Sequence, residues 1–402
     1  MEQMKDGGIT MLDEAKREFT AMRDGLLDFA VRAVQTRSYS DEEGDFARLI
    51  LAEMRTLGYD EAFIDSTGNV VGRLGGGARV IHFDSHMDTV QVNDAEAWAV
   101  PPFSGSIVDG SLWGRGSVDM KSALCASVYG AALAQKLGYL AGKTVYVTGT
   151  VCEEFCDGEN LKLLYAERGL KPDCCIICEP SSNVITLGHT GKAQIRIKTR
   201  GVSAHGSAPE KGKNAVYEMA EIIRRVEALN AALRQTEGGG TIVLSDISCI
   251  SASLNAVPDS CCIYLDRRLK RGERLSQVAA EMDALIAGKD ASWEVGTLHR
   301  TSWTGEPLDY EPMHDPWEIS KAHPLTKALE RAYESVYGRA PEAYDHWDFG
   351  TNAITPVALG IPTIGFGPGE YKLAHMRDEH CPVQQIEEAC LVYAQLIREL
   401  GQ

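Results

Sequence analysis

Histidine and carboxylate residues gather in four short stretches: SHMDTV (85–90), GRGSVDMKSA (114–123), GTVCEEFCDG (149–158) and CEPSS (178–182). Taken singly, each has an ordinary explanation. His86-x-Asp88 fits a polar turn, Asp119 fits a helix cap, paired glutamates are common on exposed helices, and Glu179 fits a turn before Pro180. Taken together they make one imidazole and several carboxylates. With a second histidine from later in the chain, that set suits two divalent ions sharing a carboxylate. Zinc accepts nitrogen and oxygen ligands and, in catalytic sites, keeps a position open for water. Paired ions lower the pKa of bound water to about 7, so the chemistry implied is hydrolysis of an amide or a related carbonyl. On an extended segment Glu153 and Glu154 would point to opposite sides, one binding metal and the other facing the water. Asp88 could hold the second ring nitrogen of His86 or orient a neighbouring group.

These residues are useful only if the fold brings them together. ARVIHFDSHMDTV, KTVYVTGTVCEEF and DCCIICEPSS are short apolar runs that end in polar residues, and IPTIGFGPGE is a fourth such run. MKSALCASVYGAALAQKLG between the first two reads as a small-residue helix. LDEAKREFTAMRDGLLDFAVRAVQ, DFARLILAEMRTLGYD, HPLTKALERAYESVYG and QQIEEACLVYAQLIREL have helical spacing. Apolar strands alternating with helices predict an α/β fold, a mostly parallel sheet with helices on both faces. In such sheets ligands bind beyond the carboxyl ends of the strands, which is where His86, Asp88, Glu153, Glu154 and Glu179 fall.

Residues 192–303 read differently. KAQIRIKTRGVSAH, GTIVLSDISCISAS and SCCIYLDRRL are strands. NAVYEMAEIIRRVEALNAALRQ and RLSQVAAEMDALIAG are helices, and a final strand is expected in SWEVGTLHRTSW. The order β-α-β-β-α-β predicts a small open sheet with two helices on one face. It would be a domain inserted into a discontinuous one made of 1–191 and 304–402. A chain of 402 residues is comfortable for two domains.

The net charge of −17 disfavours nucleic acid as a partner. No apolar run is long enough for a membrane span, and the acidic amino terminus is no secretory signal, so a cytoplasmic protein is expected. The 11 cysteines are then expected to be reduced thiols. Cys175-x-x-Cys178, in an apolar strand, and Cys152 and Cys156, flanking the glutamates, read as packing rather than as a metal or redox site.

SHMDTV, GRGSVDMKSA, VCEEF, CEPS, GVSAHGSAP (201–209), NAVPDSCCIYLDRR (255–268) and AHMRDEH (374–380) follow one another in this order. In that order they resemble the co-catalytic zinc amidohydrolases that include aminoacylase, glutamate carboxypeptidase, acetylornithine deacetylase and succinyl-diaminopimelate desuccinylase. The resemblance runs from about residue 13 to the end and implies roles. His86 and Glu179 would bind one zinc, Glu154 and His375 the other, and Asp119 would bridge them; cobalt or manganese could substitute. Glu153 would be the general base, and Asp88 would orient His86. The inserted domain would be a lid that makes a homodimer, with His205 reaching the partner's site to stabilise the oxyanion. Asn255 and Arg268 would bind the carboxylate of a small amide substrate, an N-acyl or N-carbamoyl amino acid or a dipeptide. Arg suits that task through its planar fork, and Arg267, on the other face of the strand, is the lesser candidate. HWDFGTNAITPVALGIPTIGFGPGE is similar to the selenium-metabolism-linked hydrolase subgroup. It departs from that pattern by having FGTNA in place of FSTNG, and it places Thr351 and Asn352 in a substrate loop.

Two rival readings remain. A metal-free binding protein could keep the fold and use the lid to capture a ligand. A glycosidase using Glu153 and Glu154 would need carboxyls about 5–9.5 Å apart across a sugar and would leave His86, Asp119 and His375 idle.

Overall fold

The computed structural model describes residues 11–401. The amino-terminal helix Met11–Gln35 and the helix Gly44–Thr56 pack by one apolar stripe each. The second gives way at Gly58, whose φ of 81° is a conformation that glycine adopts without a steric cost. An antiparallel pair, Glu61–Ile64 with Val70–Gly75, then forms one edge of a nine-stranded sheet.

Four parallel strands make the centre of this sheet, in the order Lys143–Thr150, Arg79–His86, Cys174–Ile177 and Thr363–Gly365. They are the four apolar runs singled out in the sequence. Antiparallel neighbours complete both sides. Central strands are buried on both faces, which is why they read as continuous apolar runs rather than alternating ones. The helix Lys121–Lys136 is buried almost all round, and its alanines, serines and Gly130 let Val383–Glu399 approach closely. A Cβ on Gly130 would lie 2.9 Å from the Cys390 carbonyl oxygen.

The second sheet contains the expected elements in the expected order: Gly191–Arg200, helix Ala215–Gln235, Thr241–Ile250, Ser260–Leu269, helix Leu275–Ile286 and Ala291–Val295. Its strands run Thr241–Ile250, Ser260–Leu269, Gly191–Arg200, Ala291–Val295, all antiparallel. It has a hydrophobic cluster of its own, built on Ile195, Ile197, Ile222, Ile263, Leu265 and Met282. The stretch SWEVGTLHRTSW holds two strands, not one. Ala291–Val295 joins the second sheet, whereas Leu298–Thr301 pairs with Pro307–Tyr310 in a hairpin docked on the first half of the chain. Trp303 fixes that hairpin by donating from Nε1 to the Gly68 carbonyl at 3.2 Å. The inward positions pass from Trp293 and Val295 to Leu298 and Arg300, a change of phase across Gly296–Thr297 that marks where one strand ends and the other begins.

Candidate active site

Three neighbouring parallel strands deliver the first ligating side chains to one edge. Arg79–His86 ends on His86, Lys143–Thr150 is followed by Glu153 and Glu154, and Cys174–Ile177 by Glu179. The loop before helix Lys121–Lys136 adds Asp119, and the loop after Thr363–Gly365 adds His375. The ligand atoms form two groups, His86–Asp119–Glu179 and Asp119–Glu154–His375, each within 4.8 Å. Asp119 belongs to both. Its Oδ1 lies 2.9 Å from His86 Nε2 and its Oδ2 lies 3.2 Å from His375 Nε2. Glu179 Oε1 is 3.7 Å from His86 Nε2, and Glu154 Oε2 is 3.0 Å from His375 Nε2. Two oxygens of one carboxylate facing two imidazoles is the donor arrangement that a pair of divalent cations requires.

The tautomer of His86 follows from its second nitrogen. Nδ1 is 2.9 Å from the Asp88 backbone carbonyl, an acceptor only, so Nδ1 keeps its proton, and Nε2, which here donates to Asp119 Oδ1 at 2.9 Å, is the nitrogen that a cation would take once its proton leaves. Asp88, expected to orient His86, touches its Nδ1 through the main-chain carbonyl, while the carboxylate acts elsewhere. Its Oδ1 stands 3.6 Å from His86 Nδ1. It accepts from the Glu153 amide at 2.9 Å, and its Oδ2 accepts from the Glu154 amide at 3.2 Å and from Ser40 Oγ at 2.6 Å. Asp88 therefore caps the turn that carries both glutamates.

That turn corrects another expectation. Glu153 and Glu154 do not lie on an extended segment. Cys152, at φ 55°, reverses the chain, and Glu153–Cys156 is a single helical turn. Neighbouring positions on a helix do not share a face, so the two carboxylates still diverge. Glu154 Oε2 meets His375, while Glu153 Oε2 lies 4.0 Å from His86 Nε2.

Burial dominates the electrostatics. It pushes the Glu153 carboxyl well above the ordinary range, opposed by His86 and reinforced by Glu179. Glu179 is raised in the same way. Glu154 is pushed up to about 7 by burial and by Asp119, against the hydrogen bond from His375. Asp119 goes the other way: burial would raise it, but His375 and His86 hold it below the usual carboxylate range. Hydrogen bonds to Asp119 and Glu154 lift His375 to about 10. Carboxyls pushed up by burial beside imidazoles lifted by carboxylates make a cluster that holds several protons, which a divalent cation would displace.

Sequence reasoning missed Glu379, although it stands in AHMRDEH. It is fully buried. It pairs with Arg115 at 2.6 Å and accepts from the amides of Gly116, Val118 and Asp119 at 3.1, 2.8 and 3.0 Å. One carboxylate thus shapes the GRGSVD loop and joins it to the loop of His375. A buried, fully bonded glutamate has no periodicity to reveal it.

The other predicted residues lie apart from this cluster. Among the described residues no hydrogen bond or ion pair joins His205, Asn255 or Arg268 to it. His205 and Asn255 are exposed and adjacent, with the Gly206 amide donating to the Asn255 carbonyl at 2.6 Å. Arg268 is paired with Asp266 at 2.8 Å, on the sheet face opposite Arg267, which is buried between Glu273 and Glu281. Thr351 and Asn352, expected in a substrate loop, are buried and bonded internally. Asn352 donates to Asp84 Oδ2 and Thr150 Oγ1 and accepts from the Gly158 amide, and Thr351 Oγ1 accepts from the Ala353 amide. The Asn352 amide holds the strand ends to the glutamate turn, while the Thr351 hydroxyl shapes its own loop. Cys152, Cys156, Cys175 and Cys178 are free and buried, and burial pushes each thiol up. Among the described residues no potential metal group includes a cysteine, and no helix is long and apolar enough to cross a membrane.

Residues 82–399 match the family described as Peptidase family M20/M25/M40. "Uncharacterized protein YgeY" of Escherichia coli (strain K12) is 36% identical over 389 residues, 96% of this chain and 95% of that one. Succinyl-diaminopimelate desuccinylase of Cereibacter sphaeroides (strain ATCC 17025 / ATH 2.4.3) is 28% identical over 384 residues, 91% and 96% of the two chains. The crystal structure of aminopeptidase PepT from Bacillus cereus ATCC 10987 superposes with a TM-score of 0.70 at 23% identity, covering 94% of this chain and 99% of that one.

Proposed function

The chain belongs to peptidase family M20/M25/M40 and is a metal-dependent hydrolase, and from that premise we propose that it cleaves an amide bond in a small carboxylate-bearing substrate with two zinc ions. The observation that carries this reading is Asp119, with one oxygen toward each histidine. His86, Asp119 and Glu179 would hold one ion, and Asp119, Glu154 and His375 the other. When bound, the ions supply Lewis acidity to the scissile carbonyl and to water. Glu153, raised by burial, accepts a proton from that water and returns it to the leaving amine. A base of raised pKa serves both transfers.

A division into a body and a lid, expected at 192–303 but with Leu298–Thr301 packed on the body and Met313–His314 paired into the lid sheet, gives the distant residues a place. Closure of the lid would carry Arg268 and Asn255 toward the substrate carboxylate. His205 would act across a homodimer as an oxyanion donor. The dimer reading draws on the lid's outer strand Thr241–Ile250, an unpaired edge that exposes Val243, Ile247 and Ile250. Such an edge is a ready template for another chain. The substrate class follows from Arg268, and a cytoplasmic location accords with reduced thiols.

A screen of N-acyl and N-carbamoyl amino acids and dipeptides, with zinc, cobalt or manganese added, tests the reading. Protein purified without chelator should hold close to two zinc ions per chain. Fewer than about one ion, with no hydrolysis of any compound, would favour a metal-free binding protein instead.

A further inference from the structure

Asp157 ends the glutamate turn and is buried, yet the proposed chemistry does not use it. Its Oδ2 takes the Lys192 ammonium as a close ion pair, accepts from Tyr310 Oη at 3.0 Å, and lies 3.8 Å from His314 Nε2. Lys192 and His314 stand on the two stretches by which the chain enters and leaves the second sheet. Those stretches run side by side. His189 pairs with Trp317 in the first sheet, and Lys192 pairs with His314 in the second. Between the two pairs lie Thr190–Gly191 and Asp315–Pro316, and there the ribbon must bend if the halves move. A Cβ on Gly191 would come within 2.7 Å of the His314 carbonyl oxygen, so the two stretches can lie this close only with glycine there.

Lys192 also faces inward. It is the direct cross-strand partner of Arg268, and opposed residues on antiparallel strands share a face. On the other side, the next residue after Asp157 is pinned, because the Gly158 amide donates to Asn352 at 2.7 Å and Asn352 donates to Thr150 at 2.9 Å. A short chain of contacts therefore runs from the strand that precedes Glu153, through Asp157 and Lys192, to Arg268.

We propose that the Asp157–Lys192 ion pair is a positioning device at the hinge, setting where the carboxylate-binding Arg268 stands relative to the general base Glu153 when the lid closes. The pair sits close to the bend, where lid rotation displaces atoms least, so it persists as the pivot while the lid moves. The inference rests on the roles proposed above for Glu153 and Arg268. It adds that the length of substrate between the scissile carbonyl and the carboxylate is set by this pivot.

The test uses full-length, zinc-loaded Lys192→Met, Asp157→Asn and the charge-keeping Lys192→Arg. In hydrogen exchange, Lys192→Met should speed exchange in 153–160, across the hinge from the substitution, and Asp157→Asn should speed it in 188–194. If each change loosens only its own segment, the proposal is overturned. For a hydrolysed carboxylate substrate, kcat/KM should fall about tenfold or more in both neutral variants at unchanged zinc content, a loss of orientation. The same compound with its carboxylate methylated should lose less than about threefold, since Arg268 no longer selects it. Lys192→Arg should retain most of the wild-type rate. Equal losses on both compounds would also overturn the proposal. If the wild type hydrolyses nothing, the proposed function fails while the exchange result still judges the hinge contact, and poor folding of Lys192→Met leaves Asp157→Asn to decide.

Discussion

The two halves of the proposed machinery are built in opposite ways. The candidate metal-ligand cluster is buried at His86 and Glu179 and open only at His375, and it is braced: Asp88 caps the glutamate turn, the Asp88 carbonyl holds His86, and Glu379 shapes the Asp119 loop. The lid residues His205 and Asn255 are exposed, and Arg268 has only Asp266 as a charged partner. The difference teaches that charge clusters need a rigid surround, because misplacing one carboxylate leaves another unpaired in a low dielectric. On the proposed reading, residues that must let substrate in and product out would sit on a lid instead.

Experiments can sharpen or break that comparison. Glu153→Gln should lower turnover by about 10²–10⁴-fold with zinc content unchanged in metal analysis. Normal turnover would remove Glu153 from the chemistry. Glu379→Gln strips the charge facing buried Arg115 and should cost about 3–5 kcal/mol in urea unfolding, where a braced site predicts a large loss and an unbraced one little.

His205→Ala should lower turnover by about 10²–10³-fold, as loss of an oxyanion donor does, while leaving stability and zinc content alone. Mixing it with Glu153→Gln makes the prediction sharper. In a mixed dimer one site has both groups, so activity should reappear on mixing if His205 serves the partner, and stay absent if it serves its own subunit.

The effect that is smallest per step concerns pH. In the metal-free protein His375 is raised to about 10 by Asp119 and Glu154. A raised histidine stabilises the fold fully below its unfolded pKa of about 6.5 and loses that contribution as pH climbs through the folded value. Zinc must displace the same proton. Zinc affinity should therefore rise with pH between about 6.5 and 10, by up to about tenfold per unit, with proton release detectable by calorimetry in buffers of different ionisation enthalpy. A pH-independent affinity would place His375 outside the ligand set.

Much of this was legible in the chain. Four apolar runs, three of them ending in His, Asp or Glu, gave the sheet and its ligand edge, because buried parallel strands have a plain signature and their carboxyl ends are where sites form. Local patterning was silent on the Glu61–Ile64 edge pair and on the helical turn of Glu153–Cys156. Each depends on what a neighbour in space supplies: a partner strand or the Asp88 carboxylate.

The residues of the cluster, their types and their order are properties of the sequence, since carboxylate and imidazole chemistry does not change with the fold. Their roles in detail were decided only by tertiary structure. The sequence placed Asp88 beside His86, but packing turned its carboxylate to the Glu153 and Glu154 amides. The loop position of Asn352 suggested a substrate contact, but burial between Asp84, Thr150 and Gly158 uses its whole amide group. Asp157 had no signal at all until Lys192 arrived from the second sheet to meet it. A polar side chain's function is set by whichever partners remain once the backbone is folded, and those partners lie far away in sequence.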